Sequence, residues 1–182
     1  MHLPIQLRDR QGRRKYLTPD ERRIFFNHTK TLSTRNRLFC QTLYYTGCRL
    51  SEALALGEFS ADVEGKVITF KTLKRHGHEH QRSVPVPNEH VKEVRSLGKC
   101  PFPYSRTTAW RIIKKAMAGA GINGPQATPR GLRHGFAIKC ATENAVISKI
   151  QVWMGHASPM TTMIYLDAVG AEERDFIRRT WD

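Results

Sequence analysis

The sequence predicts a mainly α-helical domain with a small antiparallel β-sheet inserted near its start. Two observations predict it. Helix-start signals followed by apolar residues at helical spacing recur from Thr18 onward. Only the stretch 63–86 changes period, with Val67, Ile68, Thr69 and Phe70 beside a Glu64-Gly65 turn, and a second short β-rich run from Arg82 to Val86.

Ahead of the first helix signal, Met1 to Tyr16 holds Arg8, Arg10, Arg13, Arg14 and Lys15 and few large apolar side chains. It reads as a flexible basic arm, 1–16, before a folded domain, 17–182. A capping box opens that domain: Thr18 caps, Pro19 suits the first turn, and Glu21 stands three residues after the cap. The helix runs to about Thr29. A second covers about 35–45, with Leu38, Phe39, Thr42, Leu43 and Tyr45 on its apolar face and Gly47 near its end. A third, short helix over 49–56 buries Leu50, Ala53, Leu54 and Leu56 and turns Arg49 and Glu52 elsewhere; Glu52 is expected to orient its neighbours.

Beyond the hairpin, 88–97 reads as a short helix. Ser105 caps the next one, where Trp110, Ile113 and Met117 form an inward stripe. Arg106, Thr107, Thr108, Arg111, Lys114 and Lys115 take its other faces. Such a helix can lie in a DNA major groove, and a merely solvated basic helix fits the same pattern. A Gly/Pro-rich loop over 119–129 precedes a helix from about Gly131 to Thr142 that carries Arg133 and His134. A further helix, 146–154, ends at Gly155. Ser158-Pro159 opens the segment bearing Tyr165, and 171–181 reads as a terminal helix.

Charge narrows the class of partner. Lys+Arg 30 against Asp+Glu 16 gives a formal net charge of +14, which points to a polyanion. An anionic membrane is the weaker choice, because no run approaches about 18 consecutive apolar residues and no basic amphipathic segment dominates. Met1 to Lys15 lacks the apolar core of a signal peptide, so a cytoplasmic location is expected. Cys40, Cys48, Cys100 and Cys140 form no C-x-x-C pair and read as free, buried thiols of a reducing compartment. His76, His78 and His80 alternate and would share one strand face, but no fourth ligand for zinc is evident; a solvated hairpin tip is the expectation.

Three short motifs carry chemistry. In order they are Thr46-Gly47-Cys48-Arg49-Leu50-Ser51-Glu52, then Arg130-Gly131-Leu132-Arg133-His134, then Met154-Gly155-His156 with Tyr165 nine residues after His156. Arginines hold and neutralise a phosphate, their forks matching its oxygens better than lysine does. A tyrosine hydroxyl supplies a nucleophile that splits one hard displacement into two easier ones. A histidine or lysine handles the protons. These are the groups needed to cut a phosphodiester without a metal.

The three motifs together resemble the catalytic domain of the tyrosine recombinases, or phage-type integrases, over roughly Tyr16 to the C-terminus. The resemblance implies the DNA breaking-rejoining fold of that family and a site-specific recombinase acting on double-stranded DNA in integration, excision or inversion. It assigns catalysis to Arg49, Arg133, His156 and Tyr165, with a 3′-phosphotyrosyl intermediate. It also implies a catalytic lysine on the β-hairpin, Lys74 with Lys71 as rival, to protonate the 5′ leaving oxygen. Arg130 departs from the family's commonest pattern, H-x-x-R-H. An arginine is effectively always protonated, so it can donate to a phosphate but not act as a base. Arg75, Arg106, Thr107, Arg111, Lys114, Lys115 and His134 are the expected DNA contacts, no cofactor or metal is implied, and dimers or tetramers on DNA are expected. The gene would be bacterial or carried by a phage, plasmid or other mobile element. With about 16 residues ahead of the domain, the chain would be a minimal recombinase or a fragment of a longer one. A type IB topoisomerase-like nicking-closing enzyme and a catalytically inactive DNA-binding regulator remain as alternatives.

Overall fold

A computed structural model describes residues 7–75 and 78–166, with the backbone alone for 72–75 and 78–80. In chain order the elements are α1 (Pro19–Thr29), α2 (Thr34–Thr46), α3 (Leu50–Leu54), β1 (Ala61–Asp62), β2 (Val67–Arg75), β3 (His78–Pro85), α4 (Asn88–Ser96), α5 (Arg106–Gly119), α6 (Pro129–Thr142), α7 (Ile147–Met154) and α8 (Met160–Met163). The expected terminal helix, 171–181, lies outside the described residues.

The central element is α2. Leu38 through Leu43 are all buried, because α1, α3, α4, α5 and α6 surround this helix. A helix walled in on all sides loses the one-sided pattern that marks a surface helix. Phe39 anchors it edge-on against Phe102, with ring centroids 5.2 Å apart. The Thr18–Glu21 capping box forms as expected.

The sheet has the order β1-β2-β3 and is antiparallel throughout. It is longer than the sequence indicated, since β3 begins at His78 rather than Arg82. Ile68 and Phe70 of β2 and Arg82 and Val84 of β3 face the core, with Phe70 opposite Arg82. Period-two alternation therefore puts an arginine in phase with valine on the buried side.

Other expectations need correction. Trp110 is 46% exposed, whereas Ala109, Ile113, Ala116 and Met117 are buried, so the inward stripe of α5 runs through Ala109 instead of Trp110. Leu50 and Leu54 are only half-buried, while Glu52 beside them is buried. Cys40 and Cys48 are buried free thiols, but Cys100 is exposed and Cys140 intermediate. Of the segment read as a basic arm, residues 1–6 lie outside the described set. Residues 7–15 close a hairpin in which Lys15 N–H donates to Leu7 O at 2.8 Å and Asp9 accepts from the N–H groups of Gln11 and Arg13. Arg14 pairs with Glu21 and fastens that hairpin to α1.

Helix α6 starts two residues earlier than the sequence suggests. Thr128 caps it and Pro129 takes its first position, so Arg130 lies in its first turn. Gly131 allows this start, because a Cβ there would stand 1.9 Å from Gln126 O. Gly131→Ala is therefore expected to destabilise the chain by about 1–3 kcal/mol or more, the range for forced overpacking. Urea unfolding checks it; an unchanged midpoint would show that the 124–128 loop yields freely.

Candidate active site

The first motif turns at the end of α2 and starts α3 with Arg49 as its N-cap. Arg49 N–H donates to Glu52 Oε2 at 2.6 Å, completing the cap from below. The Arg49 guanidinium gives Nη1 to Glu52 Oε1 at 2.8 Å and Nη2, at a long 3.4 Å, to Gly155 O. Its side chain is 43% exposed and available to a ligand.

The second motif lies on α6. Arg133 is buried and spans the other two motifs, donating Nη1 to Gly47 O at 2.7 Å and Nη2 to Met154 O. Burial, and then Arg49, pull its pKa down to about 10, which leaves it cationic at neutral pH. Helix α7 ends at Gly155 with φ +60, a left-handed turn that suits glycine and delivers His156 to the same place. His156 Nδ1 lies 2.9 Å from Thr162 Oγ1 and its ring stacks on that of Tyr165, centroids 6.0 Å apart.

Tyr165 itself is 1% exposed. Its hydroxyl lies 2.9 Å from His134 Nδ1, and the other ring nitrogen of His134 is buried with no partner among the described residues. Burial drives the Tyr165 phenol up to about 12, outweighing the opposing fields of Arg133, Arg49 and Arg130. Burial, reinforced by Arg133 and Arg130, drives His134 down to about 3. Burial thus holds both groups neutral in this conformation, and His134 serves as a hydrogen-bonding latch on the phenol. Its expected place on a DNA surface is corrected: the ring is enclosed because it packs against Tyr165.

The phage integrase family profile matches residues 15–171. The chain belongs to that family. Among curated relatives, it is 32% identical over 161 residues to the tyrosine recombinase XerD of Corynebacterium glutamicum, covering 81% of this chain and 51% of the relative. It is 29% identical over 181 residues to the tyrosine recombinase XerA of Pyrococcus furiosus, covering 91% and 61%. A crystal structure of XerA recombinase is 26% identical at a TM-score of 0.74, covering 98% of this chain and 65% of that one. XerH recombinase in a post-cleavage complex with its palindromic difH substrate shares the fold at a TM-score of 0.81, with 19% identity and coverage of 92% and 53%. The chain spans about half the length of most curated relatives it matches.

Within this integrase fold, Arg49, Arg133, His156 and Tyr165 lie together. Arg130 is exposed on the first turn of α6, close enough for its charge to act on Tyr165. Lys74 and Arg75 are placed on β2 by backbone alone, and their side chains lie outside the described residues, as do those of His76, His78 and His80. Arg106, Thr107, Arg111 and Lys115 are exposed on α5, whereas Lys114 is half-buried and donates to Ala127 O at 2.9 Å. Trp110 stands among these residues, 5.9 Å from Lys114 Nζ. Sequence reasoning missed Arg82. Its phase with Val84 and Val86 marked an arginine on a buried strand face, and Glu52 is its partner at 2.7 Å.

Three enclosed histidines make the fold acid-sensitive. His90, His134 and His156 fall from 6.5 to about 4, 3 and 3, each chiefly through burial. Their folded pKa values lie below the unfolded one, so unfolding takes up protons, and the stability present above pH 6.5 is lost as pH falls toward 4 and then 3. A loss of about 3 kcal/mol per pH unit is expected across the upper part of that window, after discounting half-buried His156 for solvent. Urea titrations at successive pH values measure it. Equal stability at pH 7 and pH 5 would refute neutral burial.

Proposed function

We propose that this chain is the strand-cleaving part of a site-specific DNA recombinase, with 17–182 as its catalytic domain. The convergence of Arg49, Arg133 and His156 around the Tyr165 segment carries the reading. The two arginines and His156 hold a phosphodiester and stabilise the charge that grows on its oxygens. The Tyr165 phenol, freed from His134 and deprotonated to solvent, attacks phosphorus and becomes the 3′-phosphotyrosyl ester. The P–O5′ bond breaks, and Lys74, or Lys71 in its place, protonates the departing oxygen. A free 5′ hydroxyl from a partner strand then reverses the step and rejoins the DNA, with no external energy source.

Arg130 adds a further donor to the same phosphate. Duplex DNA lies along the basic face of α5, through Arg106, Thr107, Arg111, Lys114 and Lys115, with Arg75 of the hairpin nearby. Self-association into dimers or tetramers on DNA supplies the second strand. The XerH post-cleavage complex supports DNA as the substrate class. A cytoplasmic site of action is part of the proposal; among the described residues, no helix is long and apolar enough to cross a membrane.

The test is covalent capture. Incubating the chain with a pool of nicked duplexes in excess EDTA, then sequencing DNA that migrates with protein on denaturing gels, is expected to yield a defined site. Adduct that forms only when magnesium is restored would count against catalysis by these side chains alone. Relaxation of supercoiled plasmid without exchange between two captured sites would instead fit the nicking-closing reading, which a cation at position 130 favours.

A further inference from the structure

Behind Arg49 lies a buried ion pair that no step above uses. Glu52 and Arg82 each have side chains only 4% exposed, and they meet fork to fork: Nη1 to Oε1 at 3.0 Å and Nη2 to Oε2 at 2.7 Å. Arg82 Nε donates to Trp153 O at 2.8 Å, and its guanidinium lies over the Phe70 ring, 5.0 Å from the centroid. A Cβ on Gly155 would stand 3.2 Å from Arg82 Cζ, so the guanidinium is also pressed against the turn that carries His156. One arginine thus joins β3, the start of α3 and the end of α7.

The charge count gives this cluster a purpose. Arg49 and Glu52 alone form a neutral pair, and a phosphate approaching Arg49 would meet the carboxylate directly behind it. A buried carboxylate facing a single arginine also gains most by taking that arginine bidentately. With Arg82 present, both Glu52 oxygens are already occupied. Arg49 keeps one good bond to Glu52, one long bond to Gly155 O and substantial exposure. The three residues together carry one net positive charge, held where a phosphate can reach it.

We propose that Arg82 is a positioning residue that keeps Arg49 available to phosphate by occupying and neutralising Glu52. The proposal rests on the recombinase reading for its catalytic consequence but not for its structural one. Burial opposes ionisation of Glu52, and Arg82 is the strongest influence restoring it, ahead of Arg49. A lysine would keep the charge but lose the paired donors and the bond to Trp153 O.

Arg82→Gln, Arg82→Lys and Arg82→Gln/Glu52→Gln in the full chain test this by two independent readouts. The first is ¹⁵N spectroscopy of arginine side chains, with Arg49 assigned through Arg49→Lys. In Arg82→Gln, rotation of the Arg49 guanidinium should slow as Glu52 grips it with both oxygens, and in the double variant it should speed up again. The second is the rate of adduct formation on saturating captured DNA. That rate should fall about tenfold or more in Arg82→Gln, the loss expected for a withdrawn electrostatic donor. Adding Glu52→Gln should restore it to within about threefold, a coupling that a merely structural arginine would not show.

Unchanged Arg49 dynamics in a folded Arg82→Gln, or a double variant as slow as the single, would overturn the proposal. If Arg82→Gln does not fold, Arg82→Lys decides: its retained charge should leave Arg49 mobile, and a gripped Arg49 there would overturn the charge argument. Failure of the unaltered chain to form adduct with any duplex would sink the recombinase reading, while the Arg49 spectra would still decide the role of Arg82.

Discussion

Tyr165→Phe is expected to remove covalent DNA capture altogether, a loss on the order of 10⁴-fold or more, as when the nucleophile of a hydrolase is deleted. Only one oxygen is lost, and the basic face of α5 and exposed Arg130 stay, so affinity for duplex DNA should remain close to that of the parent chain. Stability should not be untouched. The phenol is the partner of His134 Nδ1, and Nε2 of the same ring already lacks one among the described residues. A phenylalanine ring in its place would leave both nitrogens of a buried imidazole unpaired, at a cost of about 1–3 kcal/mol. The expected signature is therefore a lost adduct, retained binding and a lower urea midpoint. Adduct persisting on denaturing gels would move the nucleophile to another residue. A midpoint equal to that of the parent would mean that the hydroxyl is not latched to His134 in solution.

On the proposed reading, the bond to His134 keeps Tyr165 enclosed while Arg49 stays open to solvent, so DNA can meet the cations before the phenol is released. Burial keeps the phenol neutral until then, since the cations alone would have lowered its pKa.

The helices and the motifs were legible in the sequence for a local reason. Thr18 and Ser105 mark helix starts, and Gly47 and Gly155 mark ends, through bonds within a few residues. Arg49 and His156 sit at those ends, so the turn signals placed them. What the sequence did not disclose is set by packing between distant segments. Glu52 and Arg82 are 30 residues apart, and His134 and Tyr165 are 31 apart. Trp110 has the helical spacing of a core residue but looks out over the basic face, because the stripe of α5 is narrower than its pattern of large residues. Similarly, His134 is among the expected DNA contacts, yet all of 131–138 is buried beneath α1, α2 and α7.

Arg133→Ala should be the most damaging single change to fold and site together. The guanidinium is buried and holds the carbonyls of Gly47 and Met154, which end the first motif's helix and begin the third motif's turn. Alanine leaves those carbonyls without their donor and opens a void between α2 and α7. A loss of about 2–4 kcal/mol in stability is expected, together with at least about 10²- to 10³-fold in adduct formation. The charge has a separate effect on Tyr165. After burial, Arg133 is the strongest influence on that phenol and the one that most lowers its pKa, so the phenol should titrate still higher without it. Arg133→Lys separates these contributions. A lysine keeps the charge and can serve one carbonyl, so part of the stability should return, but it cannot span Gly47 and Met154 with one planar fork. Cleavage should consequently stay depressed by about 10²-fold in the lysine variant even where its urea midpoint recovers. A lysine variant that cleaves within a few-fold of the parent would show that charge alone suffices at this position, and that the bridging of the two motif turns does not set the geometry of the site.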